Sequence, residues 1–418
     1  TSGSVTPAGA PDAPTGLNAV RGNTQATVTF TPVTGSATGG PAISTYTITA
    51  YDANNNAVGT PCQASSSATS CVVTGLTNGT PYTFKATANN GLFTSSASAA
   101  SSAVIPATVP NAPTSVSASA TTAGAATVSF TAPLNNGGVA LTGFTVTSSP
   151  GGFTCIAAAS ATSCVISGLT NGTAYTFTVI ATNEIGNSVA SSATTSVIPQ
   201  TAASAPTTIT ATAGDGQASV AFSGAVANGS TIASYTVQAY DSNGNAVSGA
   251  TCTSSTSPCT VTGLTNGSTY TFKVVTNSTV YGAASTTAST PSIASNAVTP
   301  ATTPSAPTSV EVTPGTGKVS VSWTEAVSNG SPIISYQVQA YDADGNAVNG
   351  ATCTAIAPLT TCDVSANLVA GSNYTFKVTA TSAAGTSAAS TASTAAAVNA
   401  VPSVPLSVTA VAANASVA

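Results

Sequence analysis

Apolar residues alternate with Ser and Thr in short runs along the whole chain. Val28-Thr29-Phe30, Val128-Ser129-Phe130, Val220-Ala221-Phe222 and Val321-Ser322-Trp323 each read as a half-buried strand. Longer alternating runs follow at Ile43 to Tyr51, Leu141 to Ser149, Ile232 to Tyr240 and Ile333 to Tyr341. Polar loops rich in Asn and Gly separate the runs, and no segment sustains a period of 3.6 residues. The pattern predicts an all-β chain of antiparallel sandwiches with about seven short strands each, the last running to Val104-Ile105-Pro106, Val197-Ile198-Pro199 or Val298-Thr299-Pro300.

The clearest repeat is a turn entering a strand. It runs from Gly75 to Phe84, returns from Gly168 to Phe177 and from Gly263 to Phe272, and recurs more loosely from Asn367 to Phe376. Its Asn-Gly step tolerates positive φ, and Tyr-Thr-Phe begins an alternating run. Four such markers divide 418 residues into units spanning 11–106, 107–199, 200–300 and 301–400. Residues 1–10 read as the end of a preceding unit or an N-terminal extension. Residues 401–418 read as the opening strands of a fifth unit or a segment donated to another subunit. The linkers, Pro106 to Pro113, Pro199 to Pro206 and Pro300 to Pro307, favour extended, semi-rigid spacing and predict a rod.

Each unit opens with Ala-Pro-Thr, at Ala13, Ala112, Ala205 and Ala306. Leu precedes Tyr by six residues at Leu76/Tyr82, Leu169/Tyr175, Leu264/Tyr270 and Leu368/Tyr374. With the Val-x-Phe/Trp runs, these features make nearly the whole chain resemble a tandem array of fibronectin type III domains. The resemblance implies a tyrosine corner at Tyr82, Tyr175, Tyr270 and Tyr374, with the hydroxyl bonding back to the chain upstream. Two departures stand out. The family's second-strand Trp survives only as Trp323, and the family generally lacks disulfides.

The eight Cys fall in close pairs, Cys62/Cys71, Cys155/Cys164, Cys252/Cys259 and Cys353/Cys362, in a chain without His. Two thiolates per unit fall short of a four-ligand metal site, and there is no CxxC, so disulfides in an oxidising compartment are expected. Alternation puts Cys71 and Val73 on one inward face, as it does each counterpart. In the resembled family the preceding strand lies in the other sheet, so each bond would staple sheet to sheet, worth about 2–3 kcal/mol on the chain-entropy model. On the outer face, Lys85, Lys273 and Lys377 accompany Tyr51, Tyr240 and Tyr341, while the second unit has Thr178 and Ser149 instead. This covariation within one chain predicts an ammonium lying over a ring, with a docking spot for another chain or a glycan as the alternative.

Five Lys and Arg against ten Asp and Glu leave no basic stripe for nucleic acid. No apolar run is long enough to span a membrane as a helix. The chain starts at Thr1 without a signal sequence and reads as a mature or trimmed form. No cofactor or metal is expected. The carboxylates are spread too thinly for a glycosidase pair. Asp342-x-Asp344-x-Asn346 resembles the start of a calcium loop but has Ala347 sixth and Cys353 twelfth, so a hairpin turn is expected, as at Asp52 and Asp241, with weak surface calcium as the outsider. Asn-x-Ser/Thr sequons at Asn78, Asn171, Asn228, Asn266, Asn277, Asn329, Asn373 and Asn414 mostly coincide with Asn-Gly turns.

The expectation is a non-catalytic structural protein, secreted or at the cell surface. It would be the repeating rod of an extracellular filament, sheath or surface fibre, assembling head to tail. Its partners would be copies of itself or flanking repeats of the same chain, with glycans as a further class. The alternative is an adhesin stalk, or a spacer array of a larger secreted carbohydrate-active enzyme whose binding domains lie elsewhere.

Overall fold

The computed structural model describes residues 7–400 together with 403, 404 and 407. Of the terminal segments read above, residues 1–6 and most of 401–418 therefore lie outside the described residues. Backbone packing divides the chain into two units, residues 1–201 and 202–418. Each unit holds two β-sandwich domains.

The first domain sets the plan. Its strands are β1 (Thr15–Arg21), β2 (Gln25–Thr31), β3 (Thr45–Tyr51), β4 (Ala57–Ser65), β5 (Ser70–Thr74) and β6 (Thr83–Asn89). They form two antiparallel layers, β1-β2-β5 and β4-β3-β6, linked where Thr60 pairs with Thr74. Alternation becomes burial: Ala26, Val28 and Phe30 of β2 face Tyr46, Ile48 and Ala50 of β3 in one core. Full burial of each large side chain is worth roughly 1.5–3 kcal/mol. The second domain repeats the layers with Thr114–Thr122, Ala125–Thr131 and Ser163–Ser167 against Thr154–Ala158, Leu141–Ser149 and Thr176–Asn183. The third and fourth domains follow the same order, each around its own core.

A ring pair joins the layers at the same place in every core. Phe30 meets Tyr46, Phe130 meets Phe144, Phe222 meets Tyr235 and Trp323 meets Tyr336, with centroids 4.8, 4.7, 4.7 and 5.3 Å apart. Tilted packing of this kind adds about 0.5–1.5 kcal/mol beyond area burial.

The expected final strand is a different structure. After β6 the chain pairs back only through isolated bridges, Asn89 to Thr94 just past the turn and Tyr82 to Val104 at the far end. In its place stands a ladder of hydroxyls at every third residue: Ser95, Ser98 and Ser101. The backbone N–H of Ala88, Ala86 and Phe84 donates to these side-chain oxygens at 2.9, 3.0 and 3.1 Å. The carbonyls of the same three residues accept from the Ser backbone N–H groups. Each Ser hydroxyl then donates to the carbonyl of the next residue. The rungs recur at Ser188, Ser191 and Thr194, at Ser289, Ser292 and Ser295, and at Ser387, Ser390 and Ser393. A period of three belongs to threefold extended chain, where the backbone alone cannot serve every group on the facing strand. Side-chain oxygens make up the difference and close the edge of β6 to other strands.

Candidate interaction site: the linker turn and the outer face

Each cysteine pair is a disulfide that crosses between layers. Cys62 on β4 bonds Cys71 on β5, and Cys155–Cys164, Cys252–Cys259 and Cys353–Cys362 repeat the arrangement with Cα atoms 6.0–6.2 Å apart. Cys71, Cys164 and Cys259 are buried, but Cys362 is only partly so. Among the described residues no cysteine is free. The four bonds are the chemistry of an oxidising compartment.

Downstream lies the corner. The Tyr82 hydroxyl accepts the backbone N–H of Thr77 at 3.2 Å. Tyr175, Tyr270 and Tyr374 accept those of Thr170, Thr265 and Val369 at 3.0, 3.1 and 3.0 Å. Each bond reaches five residues upstream and pins the marker turn to the strand it enters.

The turn's Asn has a role beyond turn geometry. The Asn78 side-chain oxygen accepts the N–H of Thr24, and those of Asn171 and Asn266 accept from Gly124 and Gly216, at 2.9, 2.7 and 2.9 Å. The marker thereby holds the hairpin between the first two strands, and the amide group of these sequons is engaged within the domain. The looser fourth marker has Ala370 here, and the carbonyl of Asn399 takes over by accepting from Gly317.

The turn also forms half of an interdomain joint. Gly79 donates its N–H to Pro106, the first linker residue, at 2.9 Å, and Ala107 donates to Gly22. From the second domain, Thr108 donates to Gly137, and the Asn183 amide donates to the carbonyls of Thr108 and Asn136. Gly138 then lies against the first domain's turn. A Cβ there would come within 2.7 Å of the Asn78 carbonyl carbon and would strike the Gly79 nitrogen, so nothing larger than Gly fits. In the second unit Gly330 meets Gly267 and Pro300 in the same way, with Gly267 bonded to Pro300 at 2.9 Å. An exposed ion pair, Arg21 to Glu184 at 2.6 Å, adds a side-chain contact between the first and second domains; exposed pairs of this kind are worth about 0–1 kcal/mol. Local sequence does not distinguish these sockets, because Gly in an Asn-rich loop reads as a turn. A signal was present in Thr38-Gly39-Gly40, Asn136-Gly137-Gly138 and Ser328-Asn329-Gly330, each following the second strand at similar spacing.

On the outer face Lys85, Lys273 and Lys377 hold their ammonium groups 4.7, 4.9 and 4.7 Å from the ring centres of Tyr51, Tyr240 and Tyr341. The partners sit on neighbouring strands, offset by one pair of residues: Thr49 opposes Lys85 and Tyr51 opposes Thr83. Below each Tyr a carboxylate closes a hairpin turn. Asp52 accepts from the N–H groups of Asn54 and Asn56, Asp241 from Asn243 and Asn245, and Asp342 from Asp344 and Asn346. The N–H of Asn56 chiefly holds the Asp52 carboxyl below its usual pKa, and the N–H of Asn245 does the same for Asp241. These oxygens serve the turn.

Fold and site together define a tandem array of disulfide-stapled β-sandwiches. A model of the fibronectin type III domain matches residues 12–104, 111–198, 204–292 and 305–396. The chain belongs to the fibronectin type III family, as the resemblance read from its sequence implied. Chitinase A1 from Niallia circulans is similar to it, with 36% identity over 159 residues, or 36% of this chain. The chain spans about a fifth of that relative, 21% of its length. The crystal structure of chicken CNTN1 FN1-FN3 domains is also similar, with a TM-score of 0.32 and 16% identity over 69% of this chain and 99% of that one.

Proposed function

We propose that this chain is a non-catalytic extracellular spacer array within a larger secreted carbohydrate-active protein. The observation that carries this reading is the repeated joint. Within each unit it ties the linker to the domains on both sides through backbone bonds, as a part that sets spacing between other parts requires. The stretch similar to chitinase A1 supports carbohydrate as the substrate class of the larger protein. The contacts of the acidic residues support a structural role. Asp52, Asp241 and Asp342 close turns, Glu184 and Asp363 pair with Arg21 and Lys318, and Asp215 holds Asn266. Intact mass of the native secreted protein, followed by peptide mapping, tests the proposal. A mass well above 39.7 kDa, with a glycoside-processing domain in the same polypeptide, is expected. A native mass near 39.7 kDa would overturn it.

A further inference from the structure

The first strand of every domain lies at the edge of its sheet, paired on one side only with the second strand. Along such an edge every other residue turns its backbone N–H and C=O outward. Ala211 of the third domain, opposite Val220, is one of these, and a single side chain takes both of its outward groups. Asn296, the residue after the last ladder rung, accepts the Ala211 N–H at 2.8 Å and donates its amide to the Ala211 carbonyl at 2.9 Å. The carboxamide stands in for a paired strand and fastens the edge of one sheet to the ladder of the other. The first, second and fourth domains carry Ser102, Thr195 and Thr394 at this place. A hydroxyl is one bond shorter than a carboxamide. Among the described residues Ala19, Ala118 and Val312, the counterparts of Ala211, have no side-chain partner of this kind.

The fastened strand also differs from its siblings in shape. Thr208–Ala213 pairs without a break, from Thr208 opposite Ser223 to Ala213 opposite Ala218. The other first strands lose register near their start, between Thr15 and Asn18, Thr114 and Ser117, and Thr308 and Glu311. Gly16, Ser115 and Ser309 take φ of +65°, +51° and +51° there, which for the two serines is a conformation that a side chain disfavours. Burial follows the same division. Ile209 and Ala211 are 8% and 7% exposed, whereas Leu17 and Ala19, Val116 and Ala118, and Val310 and Val312 are only partly buried. Clefts of about 260 and 430 Å³ separate β1 from the segment that carries the ladder in the first domain, and one of about 280 Å³ does so in the second. The far end of the strand is held alike in the first, third and fourth domains, where Gly22, Gly214 and Gly315 accept from Ala107, Ala301 and Asn399. The difference therefore lies along the strand and not at its exit.

We propose that the first strand is a strap, releasable in the first, second and fourth domains and latched by Asn296 in the third. One row of bonds to the second strand and a half-covered inner face hold the unlatched strap. Its release leaves the ring pair and the disulfide intact, because in the first domain these join β2 to β3 and β4 to β5. Each domain is entered through its first strand, so tension in the chain reaches the strap before the core. Each freed residue lengthens the chain by about 3.3 Å. The array then gives at three domains and holds at one. This goes beyond the spacer reading and does not rest on it.

Hydrogen exchange of the whole chain, followed strand by strand, tests the proposal. Thr15–Arg21, Thr114–Thr122 and Thr308–Gly315 are expected to exchange about tenfold faster, or more, than the second strands they pair with. Thr208–Ala213 is expected to exchange together with its second strand, Gln217–Ser223. Asn296→Ser introduces the residue type that the first domain carries at Ser102, so the fold should tolerate it. That variant should quicken exchange in Thr208–Ala213 about tenfold and leave Gln217–Ser223 unchanged. Equal rates in all four first strands would overturn the proposal. So would an Asn296→Ser variant that exchanges as the wild type does, or one in which the whole third domain quickens.

Discussion

The hydroxyl of Tyr46 accepts the backbone N–H of Val33 at 2.9 Å. The fourth domain places Tyr336 and Ala326 in the corresponding positions, but there the buried hydroxyl meets the Ala326 backbone without forming a well-aligned hydrogen bond. Its burial raises the Tyr336 pKa. Removing the hydroxyl should therefore act in opposite directions in the two domains. Tyr46→Phe is expected to destabilise the first domain by about 1 kcal/mol, and Tyr336→Phe to leave the fourth unchanged or more stable. Hydrogen exchange resolved by domain measures both. Equal losses would show the two hydroxyls to be equivalent.

The serine ladder makes a sharper prediction. Ser98→Ala leaves the buried N–H of Ala86 without an acceptor, costing about 1–3 kcal/mol. Ser101→Thr should cost much less, because Thr194 already serves as a rung in the second domain. Urea melting of the two variants against wild type separates lost hydrogen bonding from general intolerance at these sites.

Breaking one staple should weaken one domain. Replacing Cys62 and Cys71 together by Ser opens a bond between residues 9 apart in sequence. The expected loss is about 2–3 kcal/mol on the chain-entropy model. Exchange should quicken through β2 and β5 while the third and fourth domains stay as they were.

Acid should act on the fourth domain through Asp363. Its hydrogen bond from Lys318, 2.5 Å away, and then that from Ser320 hold its carboxyl below the usual carboxylate range. A depressed folded pKa contributes stability above the unfolded value and loses it as pH falls through the folded one. Protection of Lys318–Thr324 is expected to decline below about pH 4, an effect blunted by Asp363→Asn and, because the pair is exposed, by high salt. A profile unchanged by that substitution would place the acid sensitivity elsewhere.

Strand order and core were legible because period-two alternation reports directly which side chains face inward. The Lys–Tyr pairs were legible because the second domain lacks both members at once. The ladder was not, because a strand was sought at period two while Ser95, Ser98 and Ser101 repeat at three. The sockets were hidden for another reason. A glycine's φ can be read from a turn motif, but the loss of space around Gly138 depends on a neighbouring domain that local sequence does not describe. Asn78 was half legible: Asn-Gly marks the turn, but only the folded hairpin shows that its side chain holds Thr24.

The joint has a consequence for how such a chain can change in length. The first, second and fourth domains each carry both a socket glycine and a marker turn whose glycine is bonded to the segment that follows. Recombination that set one of these domains beside another would bring a marker turn against a socket glycine, with no compensating substitution needed on either side. Repeat number can then change while the junctions between such domains stay correctly made.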